Sequence, residues 1–262
     1  MEKEMFVTTS YHSTTAELEQ ARSLAARLGC RYVERRQSSL PRLQREHGSQ
    51  DIIVATTLGL RYFPEGSKEP FFFHPSSAQV RIKRLLHGMP DGLLEATEVQ
   101  EGDVILDCTA GLGSESILFA YAAGPDGDVT ALESEPLIAL LVGEGLKTYE
   151  SGLKVLDQAM RRVKVIQTDH LSELKRRPDK SVDVVYFDPM FRQTIEETSA
   201  LNPLKAIANK SELQAEAVLE ARRVARRRVV LKEHRESGEF GRLGFRMLLR
   251  TNTKIAYGVM DV

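Results

Sequence analysis

The stretch Val104-Ile105-Leu106-Asp107-Cys108-Thr109-Ala110-Gly111-Leu112-Gly113-Ser114-Glu115 decides how this 262-residue chain is read. An apolar run ends on an acid, passes through a turn carrying two glycines and opens into an apolar helical segment at 115–123. That is the strand, turn and helix with which a nucleotide-binding α/β sheet begins. Gly111 and Gly113 permit a tight turn and let a ligand approach the backbone with no Cβ in the way. Further on, Glu133 closes the next strand, where a carboxylate can accept hydrogen bonds from both ribose hydroxyls of an adenosine. Together these features point to a nucleoside site.

Working outward, strands are expected at 104–107, 128–132, 163–167, 182–187 and 228–232. Helices at 115–123, 136–149 and 211–226, and a less periodic segment near 171–176, lie between them. The alternation predicts a parallel sheet covered by helices on both faces. Segments 245–249 and 254–260 read as an antiparallel hairpin. Ahead of all this, a strand at 5–9, a helix ending at Gly29, a strand at 31–34, a helix at 40–47 and strands at 51–57 and 58–63 form a small α/β unit. A turn-rich run at 64–70 ends it, and Ser76 or Ser77 can cap a helix reaching about Leu86. The expected organisation is a small N-terminal subdomain (1–70), a linking helix (71–92) and a cofactor-binding domain (93–262).

The composition is that of an ordinary globular protein: 36 Lys+Arg against 37 Asp+Glu, 42% hydrophobic residues, two cysteines and no tryptophan. No apolar stretch approaches the roughly 20 residues of a spanning helix and no apolar block follows the charged start, so a cytoplasmic protein without a membrane partner is expected. Cys30 and Cys108 match no metal-ligand spacing and read as reduced, structural thiols. The near-neutral total hides a gradient. Residues 1–90 carry 13 Lys+Arg against 9 Asp+Glu, and seven arginines between Arg22 and Arg45 face a single acid, Glu34. That face suits a polyanion, or it is simply a solvated helix surface.

A dinucleotide fold and a methyltransferase fold share the glycine-turn geometry. The dinucleotide fingerprint asks for glycine where this chain has Ser116, and for a small residue where it has Asp107. A carboxylate four residues before Gly111 repels phosphates, but it can position the ammonium group of S-adenosylmethionine, directly or through water. The sulfonium cation also gains from acidic surroundings. S-adenosylmethionine is therefore expected over a nicotinamide or flavin cofactor, and no metal is implied.

A second constellation, Val182-Asp183-Val184-Val185-Tyr186-Phe187-Asp188-Pro189-Met190-Phe191, is an apolar strand opening into Asp-Pro-Met-Phe. By position it is the fourth strand of the sheet, and its carboxyl end should line the reaction site. The lone pair of an exocyclic amine is delocalised into its ring. Acceptors such as the Asp188 side chain and the Pro189 carbonyl favour the pyramidal, nucleophilic form, while Phe191 can stack on the base. Asp169 and His170 follow the third strand; Asp169 can meet the adenine amino group or merely cap the next helix. His74 and Arg81 can close over the cofactor or belong to a packing helix. The run Arg222, Arg223, Arg226, Arg227 and Arg228 can touch RNA, or it is a solvated helix end.

These residues resemble a family, the small-subunit (16S) ribosomal RNA guanine-N2 methyltransferases. Its members carry Asp-Ala-Thr-Ala-Gly-Leu-Gly-Arg-Asp where this chain has Asp107 to Glu115, and Asp-Pro-Met-Phe-Pro where it has Asp188 to Arg192. Leu132-Glu133-Ser134-Glu135-Pro136 and Arg228-Val229-Val230-Leu231-Lys232 are also similar, so the resemblance covers roughly 104–233. It implies a class I methyltransferase fold, a Rossmann-like, doubly wound, mostly parallel sheet, to which the residue pattern adds the C-terminal antiparallel hairpin and the small N-terminal α/β subdomain. It implies cofactor contacts at Ser114, Glu115, Glu133, Ser134, Asp169, His170 and Asp188, besides Asp107, Gly111 and Gly113. Methyl transfer is expected at Asp188, Pro189 and Phe191, and ribosomal RNA or the small ribosomal subunit is the expected partner. The competing expectations are a methyltransferase for a small molecule or a protein side chain, and a non-catalytic RNA-binding module with a relic cofactor site.

Overall fold

The computed structural model describes residues 5–48, 51–67, 69–189, 209, 211–248 and 254–262. They divide into two compact units, one reaching to His74 and the other starting at Pro75.

The first unit contains β1 (Met5–Thr9), α1 (Thr15–Leu28), β2 (Arg31–Tyr32), α2 (Leu40–His47), β3 (Asp51–Thr56), β4 (Gly59–Phe63) and β5 (Phe71–Phe72). Its sheet runs β2-β1-β3-β4-β5, with β2, β1 and β3 parallel and the last two pairings antiparallel. α1 opens on a capping box in which Thr14 Oγ1 accepts the Glu17 N–H while the Glu17 carboxylate accepts the Thr14 N–H. It stops at Gly29, whose φ of 62° is one that a side chain rarely adopts.

Of the seven arginines in the arginine-rich stretch of this unit, six are exposed and one, Arg35, is drawn into the fold. Arg35 is only 7% exposed. Its guanidinium lies 4.3 Å from the Tyr11 ring centroid and donates to the Ser38 carbonyl at 2.9 Å and the Thr9 carbonyl at 3.3 Å. Arg42 pairs with Glu46 at 2.6 Å, and Arg31 donates to the His47 carbonyl at 2.9 Å. The basic face expected from composition thus loses Arg35 to packing, because a guanidinium also serves as a planar donor for buried carbonyls.

The second unit contains α3 (Ser76–Leu86), α4 (Gly92–Thr97), β6 (Val104–Asp107), α5 (Ser114–Ala122), β7 (Asp128–Glu133), α6 (Pro136–Thr148) and α7 (Lys154–Arg162). It continues with β8 (Val163–Gln167), α8 (His170–Arg176), β9 (Val182–Phe187), α9 (Ala215–Val224), β10 (Ala225–His234), α10 (Glu239–Leu243), β11 (Arg246–Leu248) and β12 (Ile255–Asp261). The sheet order is β11-β12-β10-β9-β6-β7-β8. β10, β9, β6, β7 and β8 are parallel, and β12 and β11 add the antiparallel hairpin. The doubly wound α/β sheet expected from the sequence is the fold observed.

β9 shows how the layers are built. Val185 and Phe187 join Leu106, Leu174, Ala217 and Ala221 in one cluster under α8 and α9. Tyr186 points the other way and meets the edge of Phe119 from α5 at 5.2 Å. This is period-2 alternation with both faces covered, so the strand reads as a continuous apolar run.

The helices α4, α7 and α10 were not anticipated. α7 buries only Leu156, Ala159 and Met160, too short an apolar strip for periodicity to stand out. α3 begins at Ser76 with Pro75 in the cap position and no side-chain cap bond, in place of the expected serine cap. The arginines 223–228 are not a solvated helix end either. Arg223 pairs with Glu220 and Asp179 at 2.6 and 2.5 Å and donates to the Leu174 and Arg177 carbonyls at the end of α8. Arg226, Arg227 and Arg228 reach Asp183, Asp103 and Asp261 respectively.

Two glycines make the packing testable. A Cβ at Gly258 of β12 would lie 2.5 Å from Phe240 Cδ1 and 2.8 Å from Phe245 Cβ, whereas one at Gly143 inside α6 would meet nothing closer than Val165 Cβ at 3.7 Å. Gly258→Ala should destabilise by about 1–3 kcal/mol. Gly143→Ala should stabilise by about 0.5–1 kcal/mol. Urea denaturation of both variants reads the difference, and equal effects would contradict the packing described.

Candidate functional site

β6 and β9 lie side by side and parallel, yet the chain winds from β6 toward β7 on one side and from β9 toward β10 on the other. Loops after such strands part company, and a crevice opens outside their carboxyl ends. Both strands end in acids. Asp107 closes β6 and Asp188 follows β9 directly. The two ends are tied together: Cys108 N–H donates to the Tyr186 carbonyl at 2.9 Å, and Asp188 N–H donates to Thr109 Oγ1 at 2.6 Å.

The glycine turn bridges them. Gly113, with φ of 75°, caps α5, and a Cβ there would sit 3.3 Å from Val142 Cγ1 of α6. Gly111 has φ of 49°, and a Cβ there would meet nothing closer than the Thr109 carbonyl at 3.9 Å. One glycine is demanded by packing and backbone together; the other leaves open space above the turn. Glu133, at the end of β7 and 9% exposed, accepts Gly111 N–H at 3.1 Å and Glu135 N–H at 2.9 Å. Burial raises its pKa, and each of its oxygens keeps a second lone pair.

Asp107 lies beneath the turn, 1% exposed, with Ser116 Oγ donating at 2.5 Å and Thr109 N–H at 3.1 Å. Burial, opposed by these two bonds and reinforced by Glu115 and Asp188, pushes its pKa to about 7. Ser114 begins α5, and Ser134 follows Glu133 with its hydroxyl accepting from Asn209 Nδ2 at 3.3 Å. Asp169 caps α8 by accepting Ser172 N–H at 2.9 Å, and His170 stacks edge-on against Phe187 with centroids 5.8 Å apart. Burial lowers the His170 pKa, against the neighbouring Asp169 charge. Pro189 is half-buried after Asp188. Phe191, with Met190 and Arg192, lies outside the described residues.

Glu115 has a different setting from its neighbours in the turn. Its Oε1 accepts from Lys232 Nζ and Arg81 Nη1, each at 3.1 Å. Lys232 Nζ also donates to Asp188 Oδ2 at 2.6 Å, and Arg81 forks onto Asp91 at 2.8 and 2.7 Å. This chain of five charges, three acids and two bases, has every side chain less than a fifth exposed. Burial pushes the Asp188 pKa to about 6; Lys232 opposes that rise and Glu115 adds to it. For Glu115 the two cations outweigh burial and its pKa is lowered. Lys232 and Asp91 were not foreseen as site residues. The available signal was a lone cation after the apolar run Val229-Val230-Leu231.

The donor set fits S-adenosylmethionine. The crevice carries one net negative charge from the five-membered chain plus Glu133, which suits a sulfonium, and the open side of Gly111 leaves the backbone accessible to a bulky ligand. Among the described residues, no group of three or more His, Cys, Asp and Glu is placed to hold a metal ion, and no helix is long and apolar enough to cross a membrane.

Residues 35–244 match the sequence profile of a family described as "Putative SAM-dependent methyltransferase". The chain belongs to this family. S-adenosylmethionine is its cofactor. The methyltransferase is also 38% identical over 255 residues to the uncharacterized protein YpiP of Bacillus subtilis, covering 97% of this chain and 98% of that one. It is 32% identical to the ribosomal RNA small subunit methyltransferase J of Acinetobacter baumannii (strain SDF) over 123 residues, which is 46% of this chain and 43% of that relative. The match thus spans less than half the length of that relative. In three dimensions it shares its fold with a SAM-dependent methyltransferase from Neisseria gonorrhoeae, at a TM-score of 0.63 and 18% identity over 97% of this chain and 95% of the other.

Asp107 makes a pH test possible. A carboxyl raised in the folded state from its ordinary 3.8 to about 7 stays protonated while the unfolded chain ionises, so folding loses stability as pH rises across that window and is flat above it. Asp107→Asn should remove this slope, a difference of roughly 4 kcal/mol at about 1.4 kcal/mol per pH unit, measured by urea denaturation at about pH 4 and pH 7.5. Parallel pH profiles for the two proteins would contradict the raised value.

Proposed function

We propose that this methyltransferase acts on an exocyclic amine of ribosomal RNA, guanine N2 of the small subunit being the specific acceptor. The observation that carries the reading is the place of Asp188-Pro189: the open end of β9, tied through Thr109 to the glycine turn at the point where the sheet reverses. The similarity to the methyltransferase J proteins over 123 residues of this chain supports it.

S-adenosylmethionine, when bound, supplies an electrophilic methyl group whose sulfonium becomes a neutral thioether on transfer. The chain's own residues bind and orient. Glu133 receives the ribose hydroxyls on its free lone pairs, and Gly111 and Gly113 admit the cofactor over the turn. Ser114, Ser134, Asp169 and His170 flank the adenosine half. Asp107, 1% exposed beneath the turn, acts through the turn. Lys232 engages Asp188 Oδ2, so Oδ1 and the Pro189 carbonyl are left to accept from the acceptor amine. That draws the nitrogen toward its nucleophilic form. Phe191 is assigned the stacking role by its place in the sequence, and it would offset part of the few kcal/mol needed to unstack a base. Positioning and electrostatics suffice for displacement at a sulfonium.

Mass spectrometry of nucleosides from small-subunit ribosomal RNA of cells lacking the protein should show the loss of an N2-methylguanosine. In vitro, Asp188→Ala should lower methyl transfer to that RNA by about a hundredfold or more while cofactor affinity is retained. If every methylated guanosine survives and the variant transfers methyl at the full rate, the reading is wrong. Binding of the RNA should weaken steeply with salt; a salt-independent interaction would favour a small acceptor instead. Because the Asp188 carboxylate must be ionised to accept, the rate should fall as pH drops through about 6 and level off above it.

A further inference from the structure

Lys232 is nearly enclosed beside two acids, Glu115 and Asp188. Replacing a buried ion-pair chain by apolar side chains of similar volume is often neutral or stabilising, whereas removing one partner leaves a buried charge exposed to its like-charged neighbour. Register explains why the lysine meets Asp188. Leu231 of β10 pairs with Phe187 of β9, so the next residues along the two parallel strands, Lys232 and Asp188, stand level with each other. Across the other edge of β10, Lys232 pairs with Tyr257 of β12. From α5, Glu115 reaches the same ammonium, and Arg81 of α3 fixes Glu115 from behind. The ammonium therefore stands between the Asp188 carboxylate and that of Glu115, which Arg81 also holds.

We propose that Lys232 is a positioning residue for methyl transfer: by holding Oδ2 of Asp188, and being held in turn by Glu115, it keeps the Asp188 carboxylate charged and its Oδ1 aimed at the acceptor amine. This rests on the reading that Asp188 receives that amine. Lys232 itself touches neither cofactor nor acceptor in this role. Among the described residues, the charged and titratable groups around Asp188 are Lys232 and Glu233 of β10, Glu115 of α5, Asp107 of β6, and Tyr186 of β9. Of these only Lys232 is a cation, so its removal has one sign.

The test follows the Asp188 carboxyl by 13C NMR titration of the full chain without added cofactor, alongside the pH profile of kcat/KM for methyl transfer to small-subunit ribosomal RNA from cells lacking the protein. In Lys232→Met the Asp188 midpoint and the acid limb of the profile should both move up by about one pH unit or more. Near pH 6 kcat should fall by about fivefold or more, with KM for S-adenosylmethionine little changed. Lys232→Arg should restore both midpoint and limb. Glu115→Gln, which removes the opposing acid, should move the midpoint down, and it serves if Lys232→Met does not fold. An unmoved midpoint in Lys232→Met, in Glu115→Gln, or a failure of arginine to rescue overturns the role given to Lys232. Asp188→Asn with undiminished transfer sinks the underlying reading of Asp188 instead, whatever the NMR midpoints show.

Discussion

The need to satisfy carboxylates at the one place where the sheet reverses governs this site. A doubly wound sheet offers a crevice only where neighbouring strands send their loops apart, between β6 and β9 here. This chain puts an acid at each of those strand ends. Carboxylates withdrawn from water need partners, and what supplies them also shapes the site. Backbone N–H groups of the turn answer Glu133 and Asp107, a serine hydroxyl completes Asp107, and Lys232 answers Asp188. The glycine turn is thus held from beneath by one acid and from the side by another, while its open face carries no Cβ.

The charge gradient along the chain acquires a different meaning once partners are known. Arginines that look like a polyanion-binding face in the first 90 residues include one, Arg35, that is spent on an aromatic ring and two carbonyls. In the second unit, Arg223, Arg226, Arg227 and Arg228 fasten helix ends and strand edges to acids. Arginine's fixed fork of donors makes it as useful for buried carbonyls as for phosphates, so a count of arginines bounds a basic surface from above.

Asp107, Gly111, Gly113, Glu133 and Asp188 were legible as a constellation because each sits at a strand end or in the turn that follows, where topology alone brings them together. The outer helices were harder to see. α7 and α4 each bury three side chains, so their existence depends on packing that no short pattern announces. Lys232 was hidden for another reason: strand register, which is set by the pairing of Leu231 with Phe187 and invisible in either segment alone, decides that it faces Asp188. Asp169 had two readings, and the bond from Ser172 N–H shows it capping α8.

Sequence by itself determined the class of fold and the position of the crevice, because hydrophobic periodicity and glycine spacing are local properties that survive any packing. It also placed acids at the ends of β6, β7 and β9 and glycines in the turn between β6 and α5. Only the tertiary structure decided which of those charges are free to act. Burial and partner choice, both long-range, put Asp107 under the turn, shut Arg35 into a core and linked Asp188 through Lys232 and Glu115 to Arg81 and Asp91.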